Sequence, residues 1–228
     1  MNYFTAKFAE TFIEDDRYIF FLTGLKNTLV ITICAALLGI VIGFLVAIVR
    51  TTYERTGKLK ILDILCRVYL TVIRGTPTTV QLLIMYYIVM SSSTNKVLIA
   101  IVTFGINSGA YVAEIVRSGI MSIDKGQFEA GRSLGFNYVQ TMWYVIIPQA
   151  FKNVLPALAN EFITLLKETS ISGYIALNDL TRAGDIVRSL TYETFFPLLS
   201  VALVYLILVM VLTYFVGRLE RRLRTGDR

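Results

Sequence analysis

The sequence predicts an all-α integral membrane protein with about five transmembrane helices. Three observations predict it: high mean hydropathy, scarce charge, and the crowding of that charge into short stretches. The 228-residue chain has a mean hydropathy of +0.64 and only 17% charged residues, against about 25% in soluble chains. No Asp, Glu, Lys or Arg occurs in residues 27–49, 75–95, 97–113 or 194–217. Three of these windows reach the roughly 20 residues that carry a helix across about 30 Å of hydrocarbon, and 97–113 falls just short.

The elements follow in order. Residues 1–18 are polar and acidic (Glu10, Glu14, Asp15, Asp16). They lack the basic start of a signal peptide and are expected on the extracytoplasmic side. A first span at 25–49 carries Gly39 and Gly43, the small-xxx-small spacing that lets helices approach closely. After a basic loop at 50–60, residues 61–73 place Leu62, Leu65, Cys66, Tyr69 and Ile73 at helical spacing. That pattern predicts a tilted or interfacial helix leading into a second span. Pro77 stands near the start of this span, where its missing N–H costs least, and the span continues to about 90. A short loop (91–96) precedes a third span at 97–116. Residues 118–141 are polar and glycine-punctuated, too long for a tight turn. A fourth span runs from 148 or 155 to 166, a mixed polar loop with room for one short helix covers 169–196, and a fifth span is expected at 197–216. The membrane domain is thus 19–219, and 220–228 is a basic tail.

Five crossings put the two ends on opposite sides, and the excess of Lys and Arg in cytoplasmic loops orients them. Arg50, Arg55, Lys58, Lys60 and Arg67 follow the first span. Arg117, Lys125 and Arg132 follow the third, and Arg218, Arg221, Arg222, Arg224 and Arg228 form the tail. The other side holds Lys7, Arg17, Lys96, Arg182 and Arg188, with Lys26 as a sixth. The expected placement is N-terminus outside, with tail and third loop cytoplasmic. The +6 net charge follows from this asymmetry, so nucleic-acid binding need not be invoked. The chain has no histidine, which removes the commonest metal ligand and general base. Cys34 and Cys66 lack metal-ligand spacing and read as buried small hydrophobes. No catalytic set and no metal site is expected. Aromatic residues near span ends (Tyr3, Phe4, Phe20, Phe21, Tyr86, Tyr87, Phe195, Phe196) read as interface belts.

The third loop reads Gly126-Gln127-Phe128-Glu129-Ala130-Gly131-Arg132-Ser133-Leu134-Gly135 and closes at Ile146-Ile147-Pro148. Helix-forming sequence between glycines predicts a short helix outside the bilayer. Gly135 would end it in a left-handed cap, and Glu129 would lie in its first turns, near the positive dipole end. This segment resembles the EAA loop of ABC importer permeases: Glu129, Ala130, Gly135 and Pro148 match at the family's spacing. Gly131 stands for the second alanine, Val145 for the isoleucine and Ile147 for the leucine. Arg74-Gly75-Thr76-Pro77 with Val80-Gln81, the run Gly109–Arg117, and Asn160-Glu161-Phe162 through Ser170 resemble the polar amino acid uptake branch. The likeness covers about 22–219.

The resemblance implies a type I importer permease fold in a bacterial cytoplasmic membrane. It implies a path shared with a second permease subunit, a homodimer or heterodimer partner. It also implies two cytoplasmic ATPase subunits that bind ATP and Mg, an extracytoplasmic amino-acid-binding protein, and an amino acid substrate. The chain itself has no Gly-x-x-x-x-Gly-Lys phosphate loop, so it reads as a transport subunit and not an enzyme, with no cofactor of its own. Gly126, Glu129, Ala130, Gly131, Leu134 and Gly135 are the candidate coupling residues.

Polar groups inside spans are costly and point to function or to interhelical bonds. Gln81, Asn107, Ser108, Asn160, Glu161 and Thr164 are the candidates for the substrate path. Glu161 lies thirteen residues after Pro148, roughly 20 Å into the membrane. It reads either as a contact for the substrate's ammonium or cationic side chain, or as the partner of a cation on another helix. Glu114 and Arg117 read as an interfacial i,i+3 pair, and Arg74 as a residue near the inner face. A permease for another small solute and an ATP-independent secondary transporter are the alternatives; the latter would more often show internal repeats, and none is evident.

Overall fold

The computed structural model describes residues 3–224; residues 1–2 and 225–228, Arg228 of the basic tail among them, lie outside these. The chain is helical throughout, running α1 (Tyr3–Phe12), α2 (Tyr18–Thr56), α3 (Lys60–Gly75), α4 (Thr78–Ile84), α5 (Lys96–Met121), α6 (Lys125–Ser133), α7 (Tyr138–Thr141), α8 (Ile147–Glu168), α9 (Leu180–Thr191) and α10 (Phe195–Arg224). Among the described residues, three stretches are long and apolar enough to cross a membrane unaided: Glu14–Glu54, Lys96–Met121 and Phe195–Leu223. The polar start is itself partly helical, as α1, which the sequence reading left unassigned. The short helix foreseen within 169–196 is α9.

α5 is the centre of the molecule, with 67% of its apolar window buried, against 28% for the first stretch and 11% for the last. Its contact with α2 is made by glycines on both sides. A Cβ on Gly39 would stand 3.0 Å from Ser108 Cβ, and one on Gly43 would be 2.4 Å from Val112 Cγ1. Gly105 and Gly109 return the same close approach against Leu38 and Ile42. The Gly39/Gly43 spacing had pointed to such packing; the answering pair on α5 repeats it four residues apart. Beside this seam, Ile31, Ala35, Leu82, Ala100, Phe104, Leu165 and Ile175 form the main core.

α2 has 39 residues, about 58 Å at 1.5 Å per residue, well beyond the hydrocarbon thickness. It ends at Gly57, whose φ of 69° is left-handed. The apolar side chains of Leu37, Val41, Leu45 and Ile48 point outward, as a lipid-facing surface requires. Cys34 is exposed on α2 and Cys66 half-buried, so the expectation of two buried thiols fails; an outward thiol on a lipid-facing helix needs no core to hide in.

The second apolar segment is broken. α3 stops at Gly75, Thr76 and Pro77 are extended, and α4 then continues as a π-helical turn, Met85–Val89. A second π turn (Met142–Ile146) joins α7 to α8 directly before Pro148. Proline has no N–H to donate and its ring crowds the preceding turn, and a widened turn accommodates both.

Candidate coupling helix and membrane polar path

The loop between α5 and α8 is built from local capping. Asp124 begins α6, its carboxylate accepting from the Gly126 N–H at 2.7 Å. The helix ends with Leu134, after which Gly135 turns left-handed at φ 81°. Phe136 N–H then donates to Gly131 C=O at 3.0 Å and Gly135 N–H to Arg132 C=O at 2.9 Å, the reciprocal pair of a glycine-terminated helix. Asn137 and Gln140 exchange side-chain and backbone bonds, each 2.9 Å, to open α7. Glu129 is the fifth residue of α6, in its second turn, and the carboxylate that caps the positive helix end is that of Asp124.

The six coupling candidates divide by burial. Gly126, Glu129, Ala130, Leu134 and Gly135 face outward, Leu134 with 73% of its surface exposed. Gly131 is buried, and a Cβ there would meet Thr141 Cγ2 at 2.7 Å. It stands in place of alanine because α7 passes too close for any side chain. Phe128, missed as a candidate, anchors the underside of α6 against Ile123, Ile146 and Ala150. Gln149 reaches Gln127 at 3.1 Å, and Asn153 reaches Ser122 at 2.9 Å. α6 is thus tied to the end of α5 and the start of α8.

Within the membrane segment the six path candidates fall into two bonded pairs and an open stripe. Gln81 Nε2 donates to Ile73 C=O at 2.7 Å, Thr76 C=O at 3.0 Å and Thr76 Oγ1 at 2.9 Å. It therefore caps acceptors at the α3–α4 break, which the extended Thr76-Pro77 leaves without helical donors. Its Oε1 accepts from Asn107 Nδ2 at 3.0 Å, and Asn107 is 1% exposed. Ser108 Oγ donates to Glu161 Oε1 at 2.9 Å. The expected alternative for Glu161 was a cation on another helix; the structure supplies a hydroxyl instead. Asn160 and Thr164 are exposed on α8, with Asn153 and Lys167 in the same row at helical spacing. Among the described residues they bond along their own helix, to Pro156 C=O and Asn160 C=O.

Below these pairs, at the end of α5 that leads to α6, lies an ion-pair network. Asp63, 1% exposed, is met by Arg50 Nε at 3.2 Å and Arg67 Nε at 2.7 Å. Arg50 also reaches Glu54 at 3.3 Å, and Arg117 lies 3.8 Å from Glu54 and bonds Glu114 closely. Arg74 stands 3.8 Å from Glu114. The Glu114–Arg117 pair is therefore one link in a chain joining α2, α3 and α5. Asp63 escaped the sequence reading; an isolated acid four residues before Arg67 in an otherwise apolar helix was the available signal. At the opposite end, on α9, hydrogen bonding from Arg188 holds the Asp185 carboxyl below its usual range. Its small stabilisation is present at neutral pH and fades as pH falls through that lowered value.

A Rickettsia typhi protein described as a putative glutamine transport system permease protein, GlnP, is 38% identical over 210 residues, covering 91% of this chain and 94% of its own length. The Bacillus subtilis arginine transport system permease protein ArtQ is 38% identical over 211 residues, with the same coverage. A crystal structure of an amino acid ABC transporter with histidines superposes with a TM-score of 0.84 at 40% identity, covering 90% of this chain and 94% of its own. The MetNI methionine ABC transporter, inward facing, shares the fold at a TM-score of 0.81 and 20% identity. The family model for inner membrane components of binding-protein-dependent transport systems matches residues 39–225. The chain belongs to that family, with a type I ABC importer permease fold.

Proposed function

We propose that this chain is the transmembrane permease subunit of an ATP-driven importer for polar or charged amino acids. A second permease subunit completes the path, two cytoplasmic ATPases bind ATP and Mg against α6, and an extracytoplasmic binding protein delivers the substrate. The chain crosses the membrane about five times, with α3–α4 and α8 beside the three long stretches, its N-terminus outside and α6 in the cytoplasm.

The observation that carries this reading is α6. A helix exposing Glu129, Ala130 and Leu134, and bolted underneath by Phe128, suits a ball in another protein's socket. Pushing it moves α5 and α8 together, and these two helices carry Ser108 and Glu161. The exposed polar row of Asn160 and Thr164 would be costly against lipid, which favours a wet path facing the second subunit. Gln81 and Asn107 shape that path from behind, by holding the broken helix in place. The two permease relatives are described for glutamine and arginine, and a carboxylate bonded by a single hydroxyl has lone pairs left for an ammonium or guanidinium.

The test is ATP-dependent uptake by vesicles holding this chain with its cognate ATPase, second permease subunit and binding protein. Glu161→Gln is expected to slow uptake of cationic amino acids about tenfold while neutral ones fall much less, a difference of one charge-assisted hydrogen bond. An equal fall for both removes Glu161 from charge recognition. Labelling of a cysteine at position 129 from outside intact cells overturns the orientation, and with it the role given to α6.

A further inference from the structure

A cavity of about 470 Å³ opens beside α3, lined by Arg50, Arg67, Leu70, Thr71, Arg74, Gly75 and Glu114. Arg67, Thr71 and Arg74 follow one another at helical spacing and are all exposed. Most of their donors are held but not used. Arg67 spends its Nε on Asp63, while its terminal nitrogens make no hydrogen bond among the described residues. Arg74 donates no hydrogen bond there either; its carboxylate neighbour is Glu114, 3.8 Å away and already bonded by Arg117. Tyrosine rings fix both guanidinium groups from one side, Tyr53 under Arg67 and Tyr111 under Arg74, each 5.7 Å from the ring centre. Two oriented guanidinium groups, with the Thr71 hydroxyl between them making no hydrogen bond among the described residues, match the oxygens of a phosphodiester.

Next to this polar row runs an apolar one. Ile61 is 76% exposed, Leu65 60%, Val68 55% and Val72 53%. An amino acid in transit has no use for such a stripe, whereas an acyl chain does. We propose that the groove on α3 holds an acidic phospholipid, its phosphate on Arg67, Thr71 and Arg74 and its acyl chain along Leu65, Val68 and Val72. The lipid would brace α3 against α5, because Arg74 belongs to one helix and its neighbours Glu114 and Tyr111 to the other. This inference is independent of the substrate assigned above.

The experiment is native mass spectrometry of the assembled transporter in non-ionic detergent, with phosphatidylglycerol or phosphatidylcholine added. Preferential retention of phosphatidylglycerol is expected, reduced about tenfold in Arg74→Gln, the loss of charge-assisted hydrogen bonds, and largely restored in Arg74→Lys. Thr71→Glu, which removes no existing contact and adds a repelling charge, is expected to reduce it as well. Equal retention of the two lipids overturns the proposal. So does unchanged phosphatidylglycerol retention in Arg74→Gln and Thr71→Glu. Displacement of the lipid by inorganic phosphate or free amino acid shows a small-anion site instead, and a disulfide formed between two copies of Val68→Cys shows that a second subunit covers the stripe.

Discussion

Replacing Gly131 with valine is expected to abolish ATP-driven uptake while leaving the chain inserted and its apolar spans packed. The position has no room: even a methyl group would stand 2.7 Å from Thr141 Cγ2 and 2.8 Å from its Oγ1. Those atoms cannot swing away, because the Thr141 hydroxyl bonds Asn137 C=O at 3.0 Å inside the capped start of α7. Overpacking of this kind costs about 1–3 kcal/mol where the surroundings yield. Here the cheapest way to yield is for α6 to lift from α7 and take Glu129, Ala130 and Leu134 out of register. The readout is ATP hydrolysis that continues but no longer rises with delivered substrate. Gly131→Ala should show the same defect in milder form, and combining it with Thr141→Ala, which removes both clashing atoms, should recover much of the coupling. No recovery in the double variant would mean that the glycine serves something other than clearance. Gly135 provides the contrast. Its Cβ would meet open space, so a substitution there is penalised by its positive φ alone, at about 1–2 kcal/mol for an L-residue.

How much of this was legible beforehand follows from the range of the forces involved. Hydropathy and charge segregation are local, so α2, α5 and α10 were visible, although each runs past its expected end into polar sequence that lipid patterning does not mark. The glycine-terminated α6 was also visible, because a left-handed cap is written in one residue, Gly135. The reason for Gly131 was not visible: it stands where the pattern has alanine because α7, ten residues further along the chain, leaves no room for a Cβ. Pairing was legible only at short range, as for Glu114 and Arg117. Gln81, Asn107, Ser108 and Glu161 were each recognised as costly in hydrocarbon, but their partners lie 26 and 53 residues apart in sequence. A hydropathy window carries no information at that separation. Asp63 went unnoticed because one acid in an amphipathic helix resembles a solvated position. Its burial exists only once Arg50 from α2 folds over it.

The same pairing sets the second large effect. Gln81→Glu is expected to lower the stability of the chain more than Gln81→Met, although glutamate is the closer match in shape. The two N–H groups of the amide are shared among three acceptors, Ile73 C=O, Thr76 C=O and Thr76 Oγ1, and Oε1 accepts from Asn107. Methionine leaves the two carbonyls and the Asn107 amide unpaired in a site 9% exposed. Buried unsatisfied groups cost about 1–3 kcal/mol each, so a total of about 3 kcal/mol is a fair expectation once partial relaxation is allowed. Glutamate keeps the bond from Asn107 but turns acceptor against acceptor at the break. Ionised, it adds a buried charge with no cation on the facing residues; protonated, it offers one donor where the amide has two. The measurement is the melting temperature of the purified permease in detergent, followed by uptake in vesicles. Both variants should melt lower than the parent, glutamate lowest, and the glutamate variant should recover partly as the pH is lowered and the carboxyl takes up its proton. A glutamate variant that melts like the parent at neutral pH would mean that the break at Gly75-Thr76-Pro77 holds its shape without the amide, and that Asn107 is kept for another purpose.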